Sequence, residues 1–409
     1  MSKPRVVRTM LATLALAAPV LLAACGSEDG ESNEAGAIKL MSIAPVSTNL
    51  QNYPDAPAGA KAAVEAINKA GGINGRKIEW TFCNTESDPN KATACARKAQ
   101  TDGVVAVVGQ HDVFSTVTLP VLETAGIASV GFHSSGNPID WKNPISFPLQ
   151  GGAPAAYSAA PNAAKQKGAK RFAVMYTDVA ASVAESKMVE EAVKREGLEF
   201  AGAFPIPATG VTDYSPYAQK IADSRADAVA MIMSAAFTGP LVKAADGLGI
   251  KPLWIQNAFT YAEAELTSIG DLAKNFIVVG PYPTFRDTSI AAVKQYVEQL
   301  DASGASADPV HRRSSGLNSW LSVHATAKVI EGMSGEINNK TFLEALKKQG
   351  EMDLFGLVKW NPSELGKANP AFPRFPAAEQ RFLNLDGDKL VSANLTPVPE
   401  PLAGISAHS

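Results

Sequence analysis

The sequence predicts an α/β protein made of two doubly wound parallel-sheet lobes joined by a multi-stranded hinge. Three observations carry that expectation. Short, continuously apolar runs alternate with helical patterns along most of the chain, as parallel strands linked by crossover helices do. At 409 residues the chain exceeds what one hydrophobic core ordinarily holds. Two proline- and glycine-rich stretches interrupt the alternation and mark crossings between lobes.

The N-terminus comes first and stands apart. Lys3, Arg5 and Arg8 precede "MLATLALAAPVLLAAC", an apolar run too short to span a bilayer but suited to a signal peptide. Its end, Leu22-Ala23-Ala24-Cys25, resembles the lipobox of bacterial lipoproteins. The resemblance implies a lipoprotein signal peptide over 1–24 and a lipidated Cys25 that anchors the chain to a bilayer. An ordinary secretory signal with a nearby Cys is the alternative. Residues 25–37 hold no apolar side chain beyond Ala and the lipidated Cys, so they read as a flexible tether. Losing Lys3, Arg5 and Arg8 with the leader takes the net charge from −3 to about −6, which gives nucleic acid no field to bind.

After the tether "IKLMSIAPV" reads as a strand and "AGAKAAVEAINKAGG" as a helix. Ala63, Ala66, Ile67 and Ala70 share one face of that helix, and Gly71 stops it. "KIEWTFC" is a strand, and Asp88 caps the next helix with Pro89 at its first position. "VVAVVG", "IASVGF", "RFAVMYT", "ADAVAMIMS", "PLWIQ" and "NFIVVGPY" continue the strands. Pro138, Pro144, Pro148, Gly151 and Gly152 mark the first crossing, and Pro281 and Pro283 the second. Helical patterns over 288–302 and 314–334 lead to the strand "FGLVKW" and a hairpin with Asp386-Gly387 at its tip. This gives a first lobe of 38–147 plus 284–350, a second of 148–283 plus 351–395, and a tail of 396–409.

Cys83 and Cys95 form an even pair in an exported chain, which predicts a disulfide. Metal binding is the competing reading, but two Cys twelve apart without a nearby His make a poor zinc site.

"AAVEAINKAGGINGRKIEWTFCNTESDPNKATACARKAQTDGVVAVVG" closely resembles the type I periplasmic binding proteins of the leucine/isoleucine/valine-binding branch. The matching positions are Ile67, Asn68, Gly71 to Arg76, Asp88-Pro89 and Gly109, with "TDYSPYAQKI" before "ADAVAMI" as a second block. The likeness runs over roughly 38 to 390. It implies a monomeric, extracytoplasmic solute receptor that works with ABC permease subunits, needs no cofactor, and closes two lobes on a small polar metabolite. It further implies ligand contacts in the loop after each strand. Ser115 and Thr116 fall where the family holds a ligand carboxylate, at a helix start whose dipole favours an anion. Ser134 and Ser135 follow "IASVGF", with Gly136 where the family often has Thr. Tyr53 stands at the wall position near the N-terminus, and Asp178, Phe259, Tyr261 and Glu263 are the second lobe's candidates.

The chain departs from the amino-acid-binding pattern in two respects, one being Val179-Ala180-Ala181 where such members often have an aromatic residue after the Asp178 position. The other is Gly151-Gly152-Ala153, in the place where such members often carry the acidic residue that holds an ammonium, so Asp178 or Glu263 must supply it if an amino acid binds.

An enzyme is not expected. His133 takes the place a nucleophile elbow reserves for Ser, "GGINGRK" lacks Walker A spacing, and the five His form no metal spacing. A sensing module of the same fold, uncoupled from transport, is the alternative to import.

Overall fold

The computed structural model describes residues 36–305, 312–367, 369–376 and 379–408. The signal segment, Cys25 and His311 lie outside them. From Ala37 onward the chain is one compact unit.

The first lobe is built from β1 (Ile38–Ala44), α1 (Asp55–Lys69), β2 (Ile78–Asn84), α2 (Pro89–Thr101), β3 (Ala106–Val108), α3 (Ser115–Ala125), β4 (Ala128–Val130) and β5 (Ser146–Phe147). Its five strands are all parallel and lie in the order β2-β1-β3-β4-β5. The order reverses at β1, so the loops after β1 and β3 diverge and leave a crevice at the strands' carboxyl ends. The Asp88 carboxylate caps α2 by accepting from the amides of Asn90 and Lys91. Cys83 and Cys95 are joined in a disulfide between β2 and α2, with their Cα atoms 5.7 Å apart.

The second lobe follows with α4 (Gly152–Gln166), β6 (Arg171–Thr177), α5 (Ala180–Glu196), β7 (Glu199–Ile206), α6 (Ser215–Ser224), β8 (Ala228–Ile232), α7 (Ala235–Gly247), β9 (Leu253–Asn257), α8 (Glu263–Ser268) and β10 (Phe276–Gly280). Then α9 (Ala291–Ala302), α10 (Ser314–Glu331) and α11 (Asn339–Lys348) return to the first core through Leu300, Trp320 and Phe342. The chain ends with β11 (Met352–Leu354), β12 (Val358–Trp360), β13 (Arg381–Asp386) and β14 (Lys389–Ser392). The second sheet runs β14-β13-β10-β9-β8-β6-β7, parallel except at β13 and β14, which pair antiparallel.

The structure departs from the sequence expectation in two places. β7 is a strand that the sequence conceals, because Gly202 and Pro205 interrupt its apolar pattern. It survives as the sheet's edge, where a proline costs no ladder bond and Gly202, at φ +123°, sits beside a register shift. The β11–β12 hairpin, assigned to the second lobe with 351–395, belongs to the first core. Met352, Leu354 and Trp360 are buried there, and the Trp360 indole donates to the Pro148 carbonyl at 2.9 Å.

Helix α10 anchors the first lobe because small residues let α1 approach it closely. A Cβ added at Gly59 would lie 2.0 Å from the Gly316 carbonyl oxygen, so only glycine fits that crossing.

Candidate functional site

The carboxyl ends of both sheets face a cavity of about 60 Å³. From the first lobe it is walled by the loop after β1 (Leu50, Gln51, Tyr53), Val113 after β3, and His133 and Ser135 after β4. The second lobe supplies Ala153 and Tyr157 of α4, Thr177 and Val179 at the end of β6, Ser182 and Glu185 of α5, Ile232 to Ser234 at the end of β8, and Asn257 and Thr260 at the end of β9. Each wall is the end of a strand or the first turns of the following helix, which is where an open α/β sheet exposes side chains without breaking its ladder.

The first wall is aromatic and rigid. Tyr53 lies 4.8 Å from the His111 ring, His111 lies 5.2 Å from His133, and His133 stacks on Phe259 at 4.0 Å. Burial pushes His111 down to about 4, and burial with His111 nearby pushes His133 well down, so both rings are neutral near pH 7.

Behind this wall the loop hydroxyls satisfy one another. The Asp140 Oδ2 accepts from the Ser134 hydroxyl at 2.7 Å, the Ser135 amide at 3.1 Å and the Asn137 amide at 3.2 Å. Asn137 Nδ2 donates to the Ser115 hydroxyl at 3.0 Å. Burial nevertheless raises the Asp140 carboxyl to about 7, its hydrogen bonds only partly opposing the desolvation.

Of the residues the sequence nominates, the structure brings Tyr53 and Ser135 to the cavity wall. Phe259 buttresses His133 from behind, and Ser134 is buried on Asp140. Ser115 is buried in the same network and Thr116 is exposed, so neither reaches the cavity; Val113 represents their loop instead. Asp178 is exposed, and its backbone donates to the Ile206 carbonyl. Tyr261 stacks on Phe276 at 5.4 Å in the second core. Glu263 pairs with Arg286 and accepts from the Leu390 amide at 2.9 Å, away from the cavity.

Of the cavity residues that sequence reasoning misses, Glu185 is the one with an acidic side chain. It lies on the buried face of α5 with Ala181, Ala184, Met188, Val189 and Ala192. A lone carboxylate at helical spacing among apolar residues is the signal that could have found it. Among the described residues, the side chains of Ser234 and Arg313 help to link the lobes around the cavity. The Ser234 hydroxyl donates to the Asn49 carbonyl at 2.6 Å. The Arg313 guanidinium donates to the Asn52 carbonyl at 3.0 Å and pairs with Glu265, both side chains being buried.

Residues 37–371 match the family model described as "Periplasmic binding protein". Among curated relatives, the "Leucine-, isoleucine-, valine-, threonine-, and alanine-binding protein" of Pseudomonas aeruginosa is 41% identical over 93 residues, 22% of this chain and 24% of that protein. The "Leu/Ile/Val-binding protein homolog 3" of Brucella melitensis is 33% identical over 113 residues, 27% and 28% of the two chains. These alignments thus span about a quarter of each relative's length. The fold is shared with a Rhodopseudomonas palustris ABC-transporter solute-binding protein in complex with 4-hydroxybenzoate. That likeness has a TM-score of 0.75 and 19% identity, and covers 90% of this chain and 98% of the other. A leucine-binding protein of Thermotoga maritima gives a TM-score of 0.73 at 15% identity, covering 88% and 98%.

Proposed function

The chain belongs to the periplasmic binding protein family, and from that premise we propose that it is the lipid-anchored receptor of an ABC importer, closing its two lobes on a small polar metabolite, an amino acid or a related carboxylate or amide. It is a binding protein and not an enzyme, as its relatives are. The observation that carries the proposal is the cavity between the carboxyl ends of two sheets, walled by Tyr53, Ser135, Tyr157, Glu185 and Asn257. Such a cleft desolvates a small molecule from both sides, and a ligand that touches both walls favours the closed arrangement over the open one. Anchoring rests on Leu22-Ala23-Ala24-Cys25.

A thermal-shift screen over amino acids, aromatic acids, amides and polyamines tests the binding reading. A ligand at 100 times its Kd adds about 2.7 kcal/mol of stability, a shift of a few degrees. A chain that no small molecule stabilises would contradict it. The anchor is tested by Cys25→Ser, which is expected to leave the protein soluble after cell fractionation.

A further inference from the structure

We propose that the segment 369–376 and the C-terminal tail form a clasp behind the hinge, which holds the two lobes in the arrangement seen here and sets how readily the cleft opens. This rests on the reading of two lobes that close on a ligand and names the device that biases them.

The clasp is centred on an aromatic cluster shared by both lobes. Trp141 belongs to the first lobe, in the turn Pro138–Trp141, and is fully buried. Its ring meets Phe372 edge-on at 5.2 Å and Phe375 at 5.6 Å, while those two rings stack on each other at 5.7 Å. The same cluster takes in Ala155 of α4, Met188 and Ala192 of α5, and Leu402 and Ile405 of the tail. The Trp141 indole N–H is buried without an acceptor, so packing alone seats the ring. Phe372, Phe375, Leu402 and Ile405 all follow residue 371, where the match to the family model ends.

Polar ties fasten each part of the clasp to one lobe. Arg374 Nε donates to the Ser146 carbonyl of β5 at 2.8 Å, and the guanidinium lies 4.3 Å from the centre of the Phe147 ring. The tail is held by α5. Arg195 donates to the Pro401 and Ala403 carbonyls at 2.6 and 3.1 Å, and Glu191 accepts from the Ser406 amide at 2.6 Å. Asn369 Nδ2 joins the two parts by donating to the Leu402 carbonyl at 3.0 Å.

Both lobes connect the clasp to the cavity. Trp141 follows Asp140, whose carboxyl holds the loop of Ser134 and Ser135. Helix α5 carries Ser182 and Glu185 on the cavity wall, and Met188, Ala192 and Arg195 on the clasp. A rotation of one lobe against the other therefore moves Trp141 relative to Met188 and Ala192 and unseats the cluster. Close-packed side chains switch between discrete arrangements and do not deform continuously, so the seated cluster favours one lobe position.

The test measures the distance between spin labels at Thr116→Cys and Asp178→Cys, exposed positions beyond the carboxyl ends of the two sheets. It uses the mature full-length chain carrying Cys25→Ser, in which Cys83 and Cys95 are already joined. Without ligand, this chain is expected to show one predominant short distance. Adding Leu402→Ala with Ile405→Ala is expected to raise the share of longer distances on the order of 10-fold. Arg195→Gln, which frees the tail but keeps the apolar cluster, is expected to act in the same direction, and it decides the matter if the double variant misfolds. Distances that stay short in the folded variants overturn the clasp even where the urea midpoint falls, because a merely structural tail affects stability alone. Long distances already predominant before the tail is altered overturn it too. Pooled amino acids, aromatic acids, amides and polyamines are expected to return the variants to the short distance. Long distances that no pool reverses count against the receptor reading and leave the clasp standing.

Discussion

Asp140 shows how burial and hydrogen bonding compete at one side chain. Its Oδ2 accepts three hydrogen bonds, yet its Oδ1 is buried with none, and burial lifts the carboxyl from 3.8 to about 7. Between those two values the folded chain keeps the proton that the unfolded chain has lost. The stability tied to this group is therefore full below about pH 3.8 and is lost as pH rises through about 7. We expect the stability of wild type minus that of Asp140→Asn to fall by roughly 1.4 kcal/mol per pH unit between pH 5 and pH 7 in urea melts. A difference that stays constant would mean that the carboxyl is already ionised at pH 5. The same network explains why the site was only half legible. Ser115, Ser134 and Ser135 are equivalent as letters in polar loops, but Asn137 and Asp140 turn the first two inward and leave Ser135 at the cavity. Which way a loop hydroxyl points depends on neighbours up to 22 residues away, and no local pattern encodes that. Glu185 did leave a trace, as a charge on an apolar helix face.

At the scale of elements, the disulfide ties the end of β2 to the second turn of α2 across a separation of 12 residues. Neither Cys lines the cavity. Replacing both by Ala is expected to lower unfolding stability by about 3 kcal/mol, read from the urea midpoint, without changing ligand affinity. A loss of affinity equal to the loss of stability would place the staple in the binding machinery instead. The elements that were legible have local causes: Asp88-Pro89 starts α2, and Asp386-Gly387 turns β13 into β14. Those that were not have tertiary ones. β7 is permitted by its edge position, and the β11–β12 hairpin is claimed by the first core through Trp360. Hydrophobic periodicity says that a segment will be buried but not against which sheet.

At the scale of the whole molecule, the lobes share a buried ionic row. Asp55 of α1 lies in the field of Arg313, whose guanidinium pairs with Glu265 of α8 on the far lobe. The Arg313 and Glu265 side chains are only 5% and 11% exposed, so removing Glu265 leaves the guanidinium out of water with only the Asn52 carbonyl and the field of Asp55 to offset it. Glu265→Ala is therefore expected to destabilise the protein by about 3–5 kcal/mol in urea melts, several times what an exposed pair yields. A change below about 1 kcal/mol would show that the pair does not tie the lobes. The close crossing of α1 and α10 bears on a different matter, the timing of synthesis. Gly59 finds Gly316 only after roughly 260 further residues have been added. At about 5–20 residues per second, the ribosome leaves the apolar face of α1 without its partner for roughly 10–50 seconds. The N-terminal third of a nascent chain therefore cannot complete its core until α10 has been made.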